Sequence, residues 1–295
     1  MKIIRTITLF LIGLLALTSF TGCGERGFDE NRDITVISRE DGSGTRGAFV
    51  ELFGVEQEDE SGEKIDSTVL TADITQSTGV MMTSVSLNTS AIGYISLGSM
   101  NERIKALKID NAEASIENIK NGSYKISRFF NIVTKDKLSE VAQDFIRFIL
   151  SSEGQKVVED SGYIAATDEA AYDGTKPAGK ITIAGSSSVS PVVEKLKEAY
   201  LAINTNATIE INQSDSTTGV NSVIEDICDI GLASRELKES EISNGLTSTP
   251  IAIDGIVVIV NKENTVDNLS MGQVRSIYMG EITKWSDIVN KSKGE

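Results

Sequence analysis

Short apolar runs alternate along this chain with longer runs in which apolar residues recur every three or four positions. The first kind predicts strands: "ITVIS" at 34–38, "AIGYISLG" at 91–98, "ISRFFNIVTK" at 126–135, "ITIAG" at 181–185, "ATIEIN" at 207–212 and "PIAIDGIVVIVNKEN" at 250–264. The second kind predicts helices: "TRGAFVELFG" at 45–54, "VSPVVEKLKEAYLAI" at 189–203, "TGVNSVIEDI" at 218–227 and "SMGQVRSIYMG" at 270–280. In "LSEVAQDFIRFILSSEGQKVVEDSG", Val141, Phe145, Phe148 and Ile149 keep helical spacing and belong in a core. Strand–helix alternation of this kind predicts α/β layers over a mainly parallel sheet. Residues 166–180, which carry Gly and Pro and lack periodicity, read as a linker.

Composition narrows the chemistry. Across 295 residues the formal net charge is −15, which argues against nucleic acid as a partner because phosphate backbones need basic surface. A small anion is still allowed, since fixed local dipoles can outweigh a distant screened field. There is no histidine, which removes Ser-His-Asp hydrolysis and His-ligated metals. No enzyme, cofactor or metal is expected. Gly174–Lys180 spells most of a phosphate-binding P-loop, but Ile181 stands where Ser or Thr should follow and a strand comes next.

The N-terminus has the pattern of an export signal over 1–22. Lys2 and Arg5 precede an apolar run too short to span a bilayer comfortably, which ends in "FTGC". That ending resembles a lipobox, so Cys23 is expected to carry lipid and residues 23–33 to form a tether. Cys228 is then left as a small buried hydrophobe.

Three segments share one design, a strand, a loop of small hydroxyl residues and a helix: Gly42-Ser43-Gly44-Thr45, Gly185-Ser186-Ser187-Ser188 and Ser216-Thr217-Thr218-Gly219. Helix N-termini present unpaired N–H groups and about half a positive charge, so each junction suits an anion. Serine and threonine are also ordinary helix caps, so the anion reading needs the junctions to converge.

"SREDGSGTRGAF", "ITIAGSSSVSPVVEKLKEAY", "DSTTGVNSVIEDICDIGLASREL" and "FILSSEGQKVVEDSGYI" resemble segments of the PstS-type phosphate-binding lipoproteins of bacterial ABC transporters, in the periplasmic-binding-protein superfamily. Their order here is rotated, as in a circular permutation. The resemblance implies a two-lobed type II binding-protein fold with a cleft between the lobes, circularly permuted. One lobe would take 34–101 plus 261–295, the other 102–165 plus 181–260, with hinge crossings near 98–104 and 256–262. It further implies inorganic phosphate as ligand, an ABC permease as partner and an extracytoplasmic location, the membrane being reached through Cys23. A monomer or a swapped dimer would satisfy the rotated order. The alternatives are sulfate or another tetrahedral oxyanion as ligand, or a non-transport sensor or adhesion module of the same fold.

The same resemblance assigns anion contacts to Arg39, Ser43, Gly44, Thr45, Ser187, Ser188, Ser216 and Arg235, with Asp41 orienting Arg39 and Ser234 in support. Some family members carry an aspartate near Ser234-Arg235 that accepts a proton from bound phosphate. With no carboxylate there, Asp215 and Asp254 are the remaining candidates for that role.

Overall fold

A computed structural model describes residues 27–58, 64–167 and 170–292. The expected signal peptide, 1–22, and Cys23 lie outside the described residues. Among the described residues no helix is long and apolar enough to cross a membrane.

One ten-stranded sheet runs through the molecule. Its main path is Ala207–Ser214, Gly179–Ser186, Ile230–Ala233, Ser127–Thr134, Thr247–Asn261, Ala91–Ser96, Thr35–Arg39 and Asp73–Thr75. The outer pairs at both ends are parallel, and the central ones are antiparallel. The runs 34–38, 126–135, 181–185 and 207–212 all become strands, because period-two side chains suit a sheet covered on one or both faces.

Four apolar clusters divide this sheet into two lobes. In the first lobe Val36, Ile92, Tyr94, Ile256 and Val258 pack on one face with Phe49, Phe53 and Trp285. Ile37, Ile95, Val257 and Ile259 pack on the other with Met81 and Val85. Neighbouring residues thus feed opposite clusters, as a strand buried on both faces requires. In the second lobe Phe130, Ile132, Ile181, Ile183 and Leu232 pack with Phe145, Phe148 and Tyr200. Val133, Ala184 and Ala233 pack with Val220, Val223 and Cys228. Cys228 is free and buried.

The strand Thr247–Asn261 belongs to both lobes. Its residues 247–255 pair with Ser127–Thr134, whereas 256–260 pair with Ala91–Ser96. The chain crosses a second time beside it, where Ile256 N donates to Ile126 O at 2.9 Å. These crossings correct the expected lobe boundaries. Residues 102–126 and 256–260 lie with the first lobe, because Leu107, Ile109, Tyr124 and Ile126 are buried in the cluster that holds Trp285. The Tyr124 hydroxyl also donates to Ile256 O at 2.7 Å.

Two further expectations change in detail. The long helix expected across 138–162 is two helices, Glu140–Leu150 and Ser152–Asp160. They part at Ser151, whose hydroxyl accepts from Gly154 N and donates to Phe148 O. Of the linker expected over 166–180, residues 170–178 are a strap fastened to the second lobe, and Gly179 and Lys180 already belong to the strand Gly179–Ser186. Asp144 accepts from the Tyr172 hydroxyl at 2.6 Å and from Thr175 N at 3.1 Å. Ser152 N donates to Ala170 O, and Asn204 Nδ2 donates to Pro177 O.

Candidate functional site

Four helices begin where strands of the sheet end, and their first turns meet between the lobes. Gly44–Phe53 follows Thr35–Arg39, and Thr78–Leu87 follows Asp73–Thr75. From the second lobe, Ser190–Ile203 follows Gly179–Ser186, and Ser216–Ile224 follows Ala207–Ser214. In open α/β sheets the crevice beyond the strands' carboxyl ends is where ligands bind, and here each helix also turns its positive end toward it.

Arg39, the last residue of its strand, is 2 % exposed and is held at both ends of its backbone. Its N–H donates to the Tyr94 hydroxyl at 3.1 Å, and its carbonyl accepts from Arg46 Nη1 at 2.9 Å. The guanidinium then reaches across the cleft. Its Nη2 donates to Ser187 Oγ at 3.0 Å, and its Nη1 donates to Thr78 Oγ1 at 3.4 Å. Beside it the Thr45 and Ser188 hydroxyls share a hydrogen bond of 2.8 Å, and Thr78 and Ser188 share one of 3.1 Å. Arg39, Thr45, Thr78, Ser187 and Ser188 are all buried.

A second knot of hydroxyls adjoins the first. Ser186 Oγ donates to Ser234 Oγ at 3.1 Å, and Ser234 N donates to Ser216 Oγ at 3.0 Å. Gly44 packs straight onto this knot. A methyl group at Gly44 would lie 2.5 Å from Ser216 Oγ and 2.8 Å from Ser234 Oγ. At the rim Thr217 N donates to Gly42 O at 3.1 Å, another bond from lobe to lobe.

Most of the expected residues therefore come together: Arg39, Gly44, Thr45, Ser187, Ser188, Ser216 and Ser234. Ser43 is buried as well, but its hydroxyl caps its own helix by accepting from Arg46 N. Asp41 is a correction. Its side chain is 95 % exposed and pairs with Arg46, while Glu40 takes Arg39, at 2.8 Å from Nε and 2.7 Å from Nη2. Arg235 is also turned elsewhere, with Nη1 and Nη2 each 2.8 Å from the Glu241 carboxylate and Nη2 3.2 Å from Thr217 Oγ1. Asp215 caps its helix by accepting from Thr218 N at 2.9 Å.

Thr78 and Glu40 were not among the expected residues. Thr78 had a signal, because Ser77-Thr78-Gly79-Val80 repeats the pattern of Thr217-Thr218-Gly219-Val220. Behind Ser234 lies Arg128, whose Nη1 donates to Ser234 O at 3.2 Å and whose Nη2 pairs with Asp254 at 3.3 Å. Among the described residues no group of three or more His, Cys, Asp or Glu is placed to hold a metal. Converging hydroxyls, helix N-termini and one guanidinium form a set of donors that suits a small tetrahedral anion.

The family model of a PBP superfamily domain matches residues 25–153 and 170–295. The phosphate-binding protein PstS 2 of Streptococcus agalactiae is 52% identical over 278 residues, 94% of this chain and 95% of the relative. Its counterpart from Streptococcus pneumoniae is 42% identical over 293 residues, 98% of this chain and 100% of that one. Among solved structures, a phosphate-binding protein of a phosphate ABC transporter from Streptococcus pneumoniae superposes with a TM-score of 0.68 at 45% identity, covering 87% of this chain and 99% of that one. With matches that run through both lobes and both halves of the cleft, the chain belongs to the PBP superfamily and, within it, to the family of the PstS phosphate-binding proteins.

Proposed function

We propose that this chain is the extracytoplasmic receptor of an ABC importer, that it captures one inorganic phosphate between its lobes, and that lobe closure is what the permease recognises. The observation that carries the reading is the cross-cleft pairing of Arg39 and Thr45 with Ser187 and Ser188. An anion there meets a guanidinium fixed by Glu40 together with the first turns of helices from both lobes. Hydroxyls accept as well as donate, so a site lined by serine and threonine can take the P–OH hydrogen of hydrogen phosphate, which sulfate lacks. That favours phosphate over sulfate without a dedicated carboxylate. A chain with no histidine, whose Glu40 is committed to Arg39, is suited to hold phosphate unchanged rather than to turn it over.

The rotated segment order fits a circular permutation that leaves the cleft intact. Ile34 N donates to Thr283 O at 2.7 Å, Asp33 forms a bridge with Lys284, and Ser286 N donates to Glu30 O at 2.7 Å. The two ends of the described chain thus lie together, while the strap that includes residues 170–178 lies on the connection that the rotation requires. In this reading the protein acts as a monomer, with one chain supplying both lobes and both halves of the site. A lipid on Cys23 would hold it at the outer face of the membrane.

Calorimetry with inorganic phosphate is the test. One phosphate per chain, recovered unchanged, is expected. Arg39→Ala is expected to weaken binding at least about tenfold, because a charge-assisted contact of about 1.5–3 kcal/mol is lost. Equal affinity in a folded variant would contradict the site, and no binding by the unaltered protein would favour a sensor or adhesion module.

A further inference from the structure

The ion pair behind Ser234 has no role in the scheme above, and its position is unusual. Asp254 and Arg128 face each other in the ladder at the point where Thr247–Asn261 passes from one lobe to the other. Both side chains are buried, at 0 % and 5 % exposure. One carboxylate oxygen accepts from Ser96 Oγ of the first lobe at 2.7 Å, and the other pairs with Arg128 of the second. Arg128 in turn holds the carbonyl of Ser234, whose hydroxyl stands among those of Ser186 and Ser216. Its guanidinium also lies 5.2 Å from the centre of the Phe130 ring.

We propose that Arg128 is a positioning residue of the anion site, fixing the Ser234 loop from behind, and that Asp254 is its counter-charge, whose ionisation sets how strongly the site attracts an anion. The proposal rests on the reading of the cleft as a phosphate site. With Asp254 ionised, Arg128 is cancelled and the anion is held by Arg39, the hydroxyls and the helix N-termini. Once Asp254 takes a proton, a buried cation with few screening neighbours is left behind Ser234 and the pull on an anion grows.

The groups around Asp254 are Arg128, the Ser96 hydroxyl, the Gly98 N–H and the phenols of Tyr124 and Tyr163, with Arg39 reaching Arg128 from the site. Burial pushes the Asp254 carboxyl up to about 6, against the opposing pull of Arg128, Ser96 and the Gly98 N–H. Burial also pushes both phenols up, so neither titrates in the same range. A carboxyl raised on folding adds stability that is complete below the unfolded value of 3.8 and is lost as pH rises through about 6. Above that range the ionised carboxylate compensates the buried Arg128 guanidinium.

The experiment is calorimetric titration of inorganic phosphate from pH 5 to pH 8 with the unaltered protein, Asp254→Asn and Ser96→Ala, each checked for folding by circular dichroism. The protonation of phosphate itself is common to all three and cancels in ratios of Kd. Asp254→Asn is expected to bind at least about threefold more tightly than the unaltered protein at pH 8, with the difference closing by about pH 5. Ser96→Ala removes a donor to the ionised carboxylate, so its pH-dependent step is expected to move upward. Should Asp254→Asn fail to fold, that shift decides the matter by itself. A pH-independent ratio for Asp254→Asn, or an unmoved step for Ser96→Ala, overturns the proposal while leaving the phosphate site standing. Absence of phosphate binding by the unaltered protein at every pH overturns both.

Discussion

In the proposed scheme the lobes close at Gly44 of the first lobe, which packs against Ser216 and Ser234 of the second. Gly44→Ala would set a methyl carbon 2.5 Å from Ser216 Oγ, 2.8 Å from Ser234 Oγ and 3.0 Å from the Ser234 carbonyl carbon. The hydroxyls can rotate, but the Ser234 backbone is held by Arg128 and cannot yield as easily. The lobes must then part by several tenths of an ångström at this point. That stretches the 3.0 Å Arg39–Ser187 bond and the 2.8 Å Thr45–Ser188 bond, and an anion seated between them loses one side of its cage. One charge-assisted and one neutral hydrogen bond amount to about 2–4 kcal/mol, or on the order of 30- to 1000-fold in Kd. Gly47→Ala is the control, since nothing lies within 4 Å of the added carbon and alanine suits a helix interior better. Calorimetry with phosphate should therefore show a large loss for Gly44→Ala and none for Gly47→Ala, with no loss of thermal stability in the control. Affinity within about threefold of the unaltered protein for Gly44→Ala would refute closure at this contact.

Arg235→Met should leave phosphate affinity within about threefold, because the guanidinium is engaged by Glu241 and Thr217; a larger loss in calorimetry would return Arg235 to the site. Asp144 is fully buried, and burial pushes its carboxyl up, but donors from Tyr172, Arg147, Tyr200 and Thr175 N outweigh this and hold it below 3.8. The stability it contributes is present above that value and is lost as pH falls through the lower folded one. Asp144→Asn should thus cost about 1–3 kcal/mol at pH 7 in urea unfolding and give a shallower loss of stability below about pH 4.

What the sequence disclosed follows from which signals are local. Strand–loop–helix junctions are local, so the loops that hold Thr45, Ser187, Ser188 and Ser216 were legible from small hydroxyl residues between a period-two run and a helical one, while the choice of those residues came from the resemblance. The lobe boundary was not. Leu107, Ile109, Tyr124 and Ile126 are apolar positions that either lobe could bury, and only the packing with Trp285 decides. The partner of Arg39 was misplaced by one residue, since Glu40 and Asp41 are adjacent acids. The longer side chain turns back along the guanidinium, while the shorter one reaches Arg46. Asp254 was legible only as a candidate acceptor for a phosphate proton, and Arg128 was not singled out at all. Their pairing needs the register that sets 254 opposite 128.

A crystal structure of the protein grown with inorganic phosphate tests the account most directly. One phosphate bounded by Arg39, Thr45 and Thr78 on one side and by Ser187, Ser188 and Ser216 on the other is the expected result. Phosphate bound elsewhere, with these loops still bonded to each other as they are here, would contradict it.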